Sequence, residues 1–168
     1  MLKVIHLLRT SEMIKAKEEL ARLEKFVKLL QKHKTFEEYA IIYDFLDKKS
    51  LFAIAYLLSS ITHRTMGSIP SALNNIGKGI EVTEKQLLSC KGTNHPFSFE
   101  TNQQVLLHLA LRFFFSENKA ITYLSTGDFA NAIKDIDHAR IMLITYSHLM
   151  QRYRYNVHLL LGIFGVAT

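Results

Sequence analysis

The sequence predicts an all-α protein, an α-solenoid of antiparallel helix pairs, and three observations carry that prediction. One pattern of small and apolar residues occurs twice, centred on Gly67 and on Gly127. Around Gly67 it consists of Ser60, Ile69, Ala72, Ile76 and Gly79; around Gly127 the same five offsets hold Ala120, Phe129, Ala132, Ile136 and Ala139. Small residues let two helices approach closely, apolar ones fill the seam, and the glycine ends the first helix in a left-handed turn. Breakers are scarce, with two prolines and seven glycines in 168 residues, which favours long helices. Finally, 48% of the residues are hydrophobic, enough to fill the core of one domain of this length.

The elements follow in order. Residues 1–9 read as the tail of a helix and Thr10-Ser11-Glu12 as a turn with capping side chains. Ala16, Leu20, Leu23, Val27 and Leu30 then mark one helix face at spacings of four and three, completing a partial helix pair over 1–33. An irregular connector, 34–50, offers Phe36, Tyr39, Ile42, Tyr43, Phe45 and Leu46 for docking. A helix pair is expected over 51–89. Ser50 caps its first helix, Leu51 to Met66, which is apolar almost all round and so should be buried between neighbours. Pro70 falls in the first turn of the second, where a missing amide donor costs nothing. A linker over 90–100 contains Gly92, Asn94 and Pro96. The next pair spans 101–150: Thr101 with Gln104 forms a capping box for a helix reaching Thr126, and Asp128 caps its partner, Phe129 to Met150. Residues 153–168 begin the first helix of an incomplete pair.

This is tetratricopeptide-repeat logic, and Gly-Asp-Phe-Ala-Asn-Ala-Ile (127–133) resembles the second half of such a repeat. At the end of the chain Leu161-Gly162 supplies the large-then-small pair expected in the first helix of a further unit. At the start, Ser11 can be the turn of an incomplete unit, although Val4 and Leu23 stand where small residues belong. The turns lie farther apart than the roughly 34 residues of a regular array, so the pairs are unequal and joined by long connectors. Units that stack need neighbours or caps, and a chain that starts and stops in mid-unit is expected to be a portion of a longer superhelix.

Composition narrows the function classes. A lone Cys90 cannot form an internal disulfide and fits a reducing compartment. The longest apolar run, Leu51 to Leu58, is far short of the roughly 20 residues needed to span a bilayer, and Met1 to Leu8 is too short and too interrupted for a secretory signal. The charge of +6 and pI near 9.4 allow an acidic partner without establishing one. From Glu12 to Lys32 the cations are interleaved with Glu12, Glu18, Glu19 and Glu24, and the spacings Glu18–Arg22 and Glu24–Lys28 suit a solvated helix face. Direct nucleic-acid binding is not expected from so neutralised a cluster. Arg152-Tyr-Arg-Tyr155 reads as an amphipathic helix junction.

Catalysis is not expected. None of the eight histidines forms His-Glu-x-x-His or a zinc spacing. Asp135, Asp137 and His138 point in different directions on a helix and read as solvated residues. Gly77-Lys-Gly79 follows no strand and makes a poor phosphate loop. No cofactor or metal is implied.

The order of Leu2-Lys3-Val4-Ile5-His6-Leu7-Leu8, Phe45-Leu46, Tyr56-Leu57, Gly67, Gly127 and His158-Leu159-Leu160-Leu161-Gly162 resembles the tetratricopeptide subunit of the cohesin loader, the Mau-2-type chromatid cohesion factor. The resemblance implies a non-catalytic nuclear scaffold. It would bind the N-terminal region of the Nipped-B-type loader, with cohesin and chromatin as indirect partners, in sister-chromatid cohesion during the cell cycle. The other function open to such a chain is a generic peptide-binding adaptor, such as a bacterial sensor or effector.

In a repeat superhelix, residues ten, six and three before each turn should face the concave side. Those are Leu57, Ile61 and Arg64 in one unit, Glu117, Ile121 and Leu124 in the next, and Leu159, Ile163 and Val166 at the end, with Ile5 and Leu8 starting the row. A chiefly apolar groove suits an extended, partly hydrophobic peptide. Equally, a tightly wound superhelix could fill its own axis with these side chains. Ser60, Gly67, Ala72, Gly79, Ala120, Gly127, Ala132, Ala139 and Gly162 are assigned to packing between helices.

Overall fold

The computed structural model describes residues 2–10, 12–32, 48–91 and 99–168. Every regular element among them is helical: α1 (Leu2–Arg9), α2 (Met13–Lys32), α3 (Lys48–Thr65), α4 (Ile69–Lys91), α5 (Phe99–Ser125), α6 (Phe129–Thr145), α7 (Ser147–Met150), a 3-10 turn (Gln151–Tyr153) and α8 (Arg154–Ala167). They form two compact units, Met1–Val82 and Thr83–Thr168, so that α4 contributes to both.

In the first unit Thr10 ends α1 as a capping residue, its hydroxyl donating to the carbonyls of His6 at 3.1 Å and Leu7 at 3.3 Å. Val4 and Leu7 of α1 and Ala16 and Leu20 of α2 are all buried and Leu23 is half-buried, so the first part of the predicted apolar stripe turns inward; the side chains of Val27 and Leu30 lie outside the described ones. Lys3 closes the edge of this pair with a 2.7 Å bond to Glu19. The two expected i,i+4 pairs on α2 give way to other partners. Arg22 pairs with Glu19 at 2.7 Å, and Glu24 accepts the Ser59 hydroxyl at 2.8 Å. A carboxylate assigned to the solvated face thus reaches a neighbouring helix.

No residue of α3 from Ser50 to Arg64 is exposed, in line with its all-round apolar character. The helix starts earlier than expected, at Lys48, which places Ser50 inside it as a buried residue instead of at its cap. Pro70 occupies the first turn of α4, where its ring is already compatible with helical φ. The connector expected over 34–50, including Phe36, Tyr39, Ile42, Tyr43, Phe45 and Leu46, lies outside the described residues up to position 47. So do Ser11 and positions 92–98 of the expected linker.

In the second unit α5 starts at Phe99, two residues before the expected capping box, so Thr101 lies within its first turn. Asp128 caps α6 as expected, accepting the Asn131 amide at 3.2 Å. The predicted helix to Met150 is broken at Tyr146, where φ is −118° and ψ is 38°. Neither glycine nor proline marks this break in the sequence. The ring of Tyr146 packs with Leu143 and Leu149 against a core of Leu109, Phe113, Ala139, Met142, Met150 and Val157. Burial of that apolar surface outweighs the loss of a few helical turns' regularity. Tyr153 enters the same core, stacked on Phe113 at 5.1 Å and edge-on to Phe114 at 5.3 Å. The Arg152–Tyr155 stretch is therefore a junction between α7 and α8 that one aromatic pins down, while Tyr155 stays exposed.

Candidate partner-binding site

The two glycine-centred turns share one geometry. Gly67 and Gly127 have φ of +76° and +74°, a region that only glycine enters freely. Each turn is closed by two backbone bonds. Ser68 and Asp128 donate to the carbonyls of His63 and Tyr123 at 2.8 and 3.0 Å, and the glycine amides donate to Arg64 and Leu124 at 3.0 and 3.2 Å. This is the paired closure of a Schellman cap. Ser60, Ala72 and Ile76 are fully buried in the first unit, as are Ala120, Ala132, Ile136 and Ala139 in the second; Gly79 is buried as well. Gly162 differs: it is exposed, and no atom of the described residues stands within 4 Å of where a Cβ would be.

The candidate partner residues occupy two kinds of environment. In the first unit Ile5 is exposed, while Leu8 of α1 and Leu57, Ile61 and Arg64 of α3 are half-buried. In the second, Glu117, Ile121 and Leu124 of α5 are half-buried. Ile121 packs onto the cluster of Ala120, Ile136 and Leu160, and Glu117 accepts a 3.0 Å bond from Asn156 of α8. Ile121 is thus covered, and Glu117 tied, by the protein itself. Leu159 and Ile163 of α8 are open instead, 63% and 43% exposed, and Val166 is 90% exposed. With His158, Gly162 and Ala167 they line a shallow hollow of about 580 Å³. Helical geometry separates the two faces of α8: Val157 and Leu160 are buried and Phe164 meets Phe129 edge-on at 6.2 Å, which turns Leu159, Ile163 and Val166 outward.

The second unit also holds a polar cluster that the sequence reading missed. Arg112, only 8% exposed, donates to Glu84 at 3.0 Å, to the Ser116 hydroxyl at 2.6 Å and to His138 Nε2 at 2.8 Å. Arginine cannot accept, so Nε2 must, and His138 is a neutral imidazole with its proton on Nδ1. Partial burial holds the His138 pKa below its ordinary 6.5, and the neighbouring Arg112 cation lowers it further against the opposite pull of Asp135 and Glu84. His138 keeps an exposed side as expected, whereas Asp135 is not a solvated residue: it accepts Lys119 at 3.2 Å across the α5–α6 seam. The available signal was Arg112 itself, a cation inside the run Leu-Ala-Leu-Arg-Phe-Phe-Phe, which must find partners if that helix is buried.

Among the described residues no group of three or more His, Cys, Asp or Glu side chains is placed to hold a metal ion, and no helix is long and apolar enough to cross a membrane. α8 presents an open apolar face of Leu159, Ile163 and Val166. The sequence profile of the cohesin loading factor family matches residues 1–168, the whole chain. The chain belongs to the cohesin loading factor family. Searches of curated proteins and of solved structures return no match. Membership agrees with the Mau-2-type resemblance and gives the chain a role in cohesin loading. In this member of the cohesin loading factor family, Leu159, Ile163 and Val166 of α8, with Ile5 of α1, are the positions of the expected partner row that are exposed among the described residues.

Proposed function

We propose that this chain acts as a non-catalytic scaffold in cohesin loading, binding the N-terminal region of a Nipped-B-type loader and so promoting cohesin association with chromatin in the nucleus. The family match over the whole chain carries this reading. Its two helix pairs are read as tetratricopeptide-like units, supported by the shared turn geometry and by the small buried residues at matching offsets. Leu159 and Ile163 are the leading proposed contacts because they are apolar and open. Ile5, Leu8, Leu57, Ile61, Arg64, Glu117, Ile121 and Leu124 are proposed as supporting ones. An apolar peptide laid on α8 would bury side chains now facing water, which favours association.

The test is capture of the N-terminal segment of a Nipped-B-type loader by the chain and by its Leu159→Asp/Ile163→Asp variant. Both positions are exposed, so the variant should keep its helical circular dichroism while capture falls by tenfold or more, on the order expected for charging an apolar contact. Full capture by the variant would move the partner site off α8. No capture by the unaltered chain would leave the generic adaptor as the better reading.

A further inference from the structure

A neighbouring flank of α8, which shares only His158 with the Leu159 hollow, forms a second groove of different chemistry. It lies between the end of α6, α7 and the start of α8, and encloses about 690 Å³. Its floor is apolar: Leu143 and Val157 at the base, with Ile144 and Leu161 reaching out to solvent. Its rim carries the cations of Arg140 and Arg154 together with His148 and His158, and no aspartate or glutamate is among its lining residues. Asp137 does approach Arg140, at 3.4 Å, but both side chains are more than half exposed, and such a pair contributes little and exchanges readily.

From this combination we propose that the groove is a docking site for an acidic, amphipathic peptide segment of a partner protein. Its apolar side chains would cover Ile144 and Leu161 while its carboxylates meet Arg140 and Arg154. Charge complementarity selects this occupant. A second copy of the chain would bring a net charge of +6 against a basic rim. A single-stranded nucleic acid would meet an aliphatic floor where base stacking calls for aromatic side chains; Tyr155, though exposed, is not among the lining residues. Opposite charge on the rim would speed encounter and set register, and the aliphatic floor would supply the buried area. This site does not depend on the loader reading, since none of Arg140, Arg154 or Ile144 belongs to the Leu159–Ile163 face.

The experiment uses a fluorescein-labelled synthetic helical peptide with a leucine face and a glutamate face. Its controls are the same peptide with lysine for glutamate and a labelled DNA duplex. Fluorescence anisotropy with the whole chain should show binding of the glutamate peptide that weakens as salt is raised and drops by about tenfold or more in Arg140→Glu/Arg154→Glu. Ile144→Ser should weaken it as well, through lost apolar cover. All these positions are exposed, and circular dichroism of each variant should match that of the parent. Equal binding of the lysine peptide, or undiminished binding to the arginine double variant, would overturn the proposal. Duplex binding that depends on the same two arginines would overturn it in favour of nucleic acid. Sedimentation showing self-association that the double variant abolishes would overturn it in favour of a second copy. Retained capture of the loader segment by the double variant would confirm that this groove and the Leu159 face act separately.

Discussion

The α3–α4 pair around Gly67 and the α5–α6 pair around Gly127 use the same positions for different chemistry. Burial repeats residue for residue from 61–70 to 121–130. Thr62 and Thr122 are both fully buried and both return their hydroxyls to the carbonyl four residues back, Leu58 at 2.8 Å and Asn118 at 2.7 Å. Thr65 and Ser125 then donate to the carbonyls of Thr62 and Thr122 at 2.9 and 2.7 Å. The seam itself is cross-linked at the same place in both pairs. In the first, Asn75 donates to Ser59 at 2.9 Å; in the second the corresponding residues are Asp135 and Lys119, an ion pair at 3.2 Å. Lys78 in the first pair is matched by His138 in the second, which Arg112 holds. Geometry is therefore kept by small and apolar residues, whereas the polar tie across the seam is free to be neutral or charged so long as both partners change together.

The most severe way to break this equivalence is to empty the seam. Ile76→Ala and Ile136→Ala each remove a fully buried side chain and should each cost about 2 to 5 kcal/mol. Denaturant melts of the two variants should agree closely, and hydrogen exchange should locate each loss in its own unit. A large effect at one position beside a negligible one at the other would end the comparison. Overfilling comes next: Ala72→Leu and Ala132→Leu replace residues with no exposed surface and should cost about 1 to 3 kcal/mol each. An unchanged melting temperature in either would mean that the helices there are not closely apposed.

Gly67→Ala and Gly127→Ala isolate the backbone contribution. A Cβ would meet nothing within 4 Å at either site, so the cost, about 1 to 2 kcal/mol, comes from the left-handed conformation alone. A stabilised variant would show that the turn relaxes to negative φ. Exchanging the polar tie should matter less. Lys119→Ser with Asp135→Asn turns the charged seam into its neutral counterpart, and should change stability by less than about 1 kcal/mol while the melting temperature becomes less sensitive to salt. A loss several times larger would show that the ion pair has no neutral substitute there.

The smallest expected effect is a pH dependence confined to one unit. The folded pKa of His138 lies below its ordinary 6.5, so the folded state binds fewer protons than the unfolded one. The contribution is therefore fully present above 6.5 and is lost as pH falls through the lower folded value. Protonation would place a second cation against Arg112 and remove the acceptor at Nε2, with Glu84 and Asp135 offsetting part of the repulsion and Lys119 adding to it. Hydrogen exchange around α6 should quicken in mild acid, and His138→Gln should abolish the change. Persistence of the same change in that variant would assign it to other groups.

The sequence by itself determined the helical class, the two glycine turns and the seam. Each rests on local chemistry: glycine alone enters φ near +75° freely, Asp128 caps the amide three residues on, and buried positions recur with helical spacing. It also determined the family, because order and spacing of such residues along the whole chain are what a family profile reads. What it could not determine depends on partners distant in the chain. The break at Tyr146 needs the Phe113 core to receive its ring, and helical propensity alone gives no reason to stop there. The start of α3 ahead of Ser50 places a capping residue type in a buried helix interior, where tertiary packing outweighs local preference. Arg112 became the centre of a polar cluster only when folding brought Glu84 and His138 to it from other helices. The expected groove, finally, is a row of equivalent sequence positions. Whether a side chain in that row is covered, like Ile121, or left open, like Leu159, is decided by which helix packs over it, and that depends on distant neighbours that periodicity along the chain does not reveal.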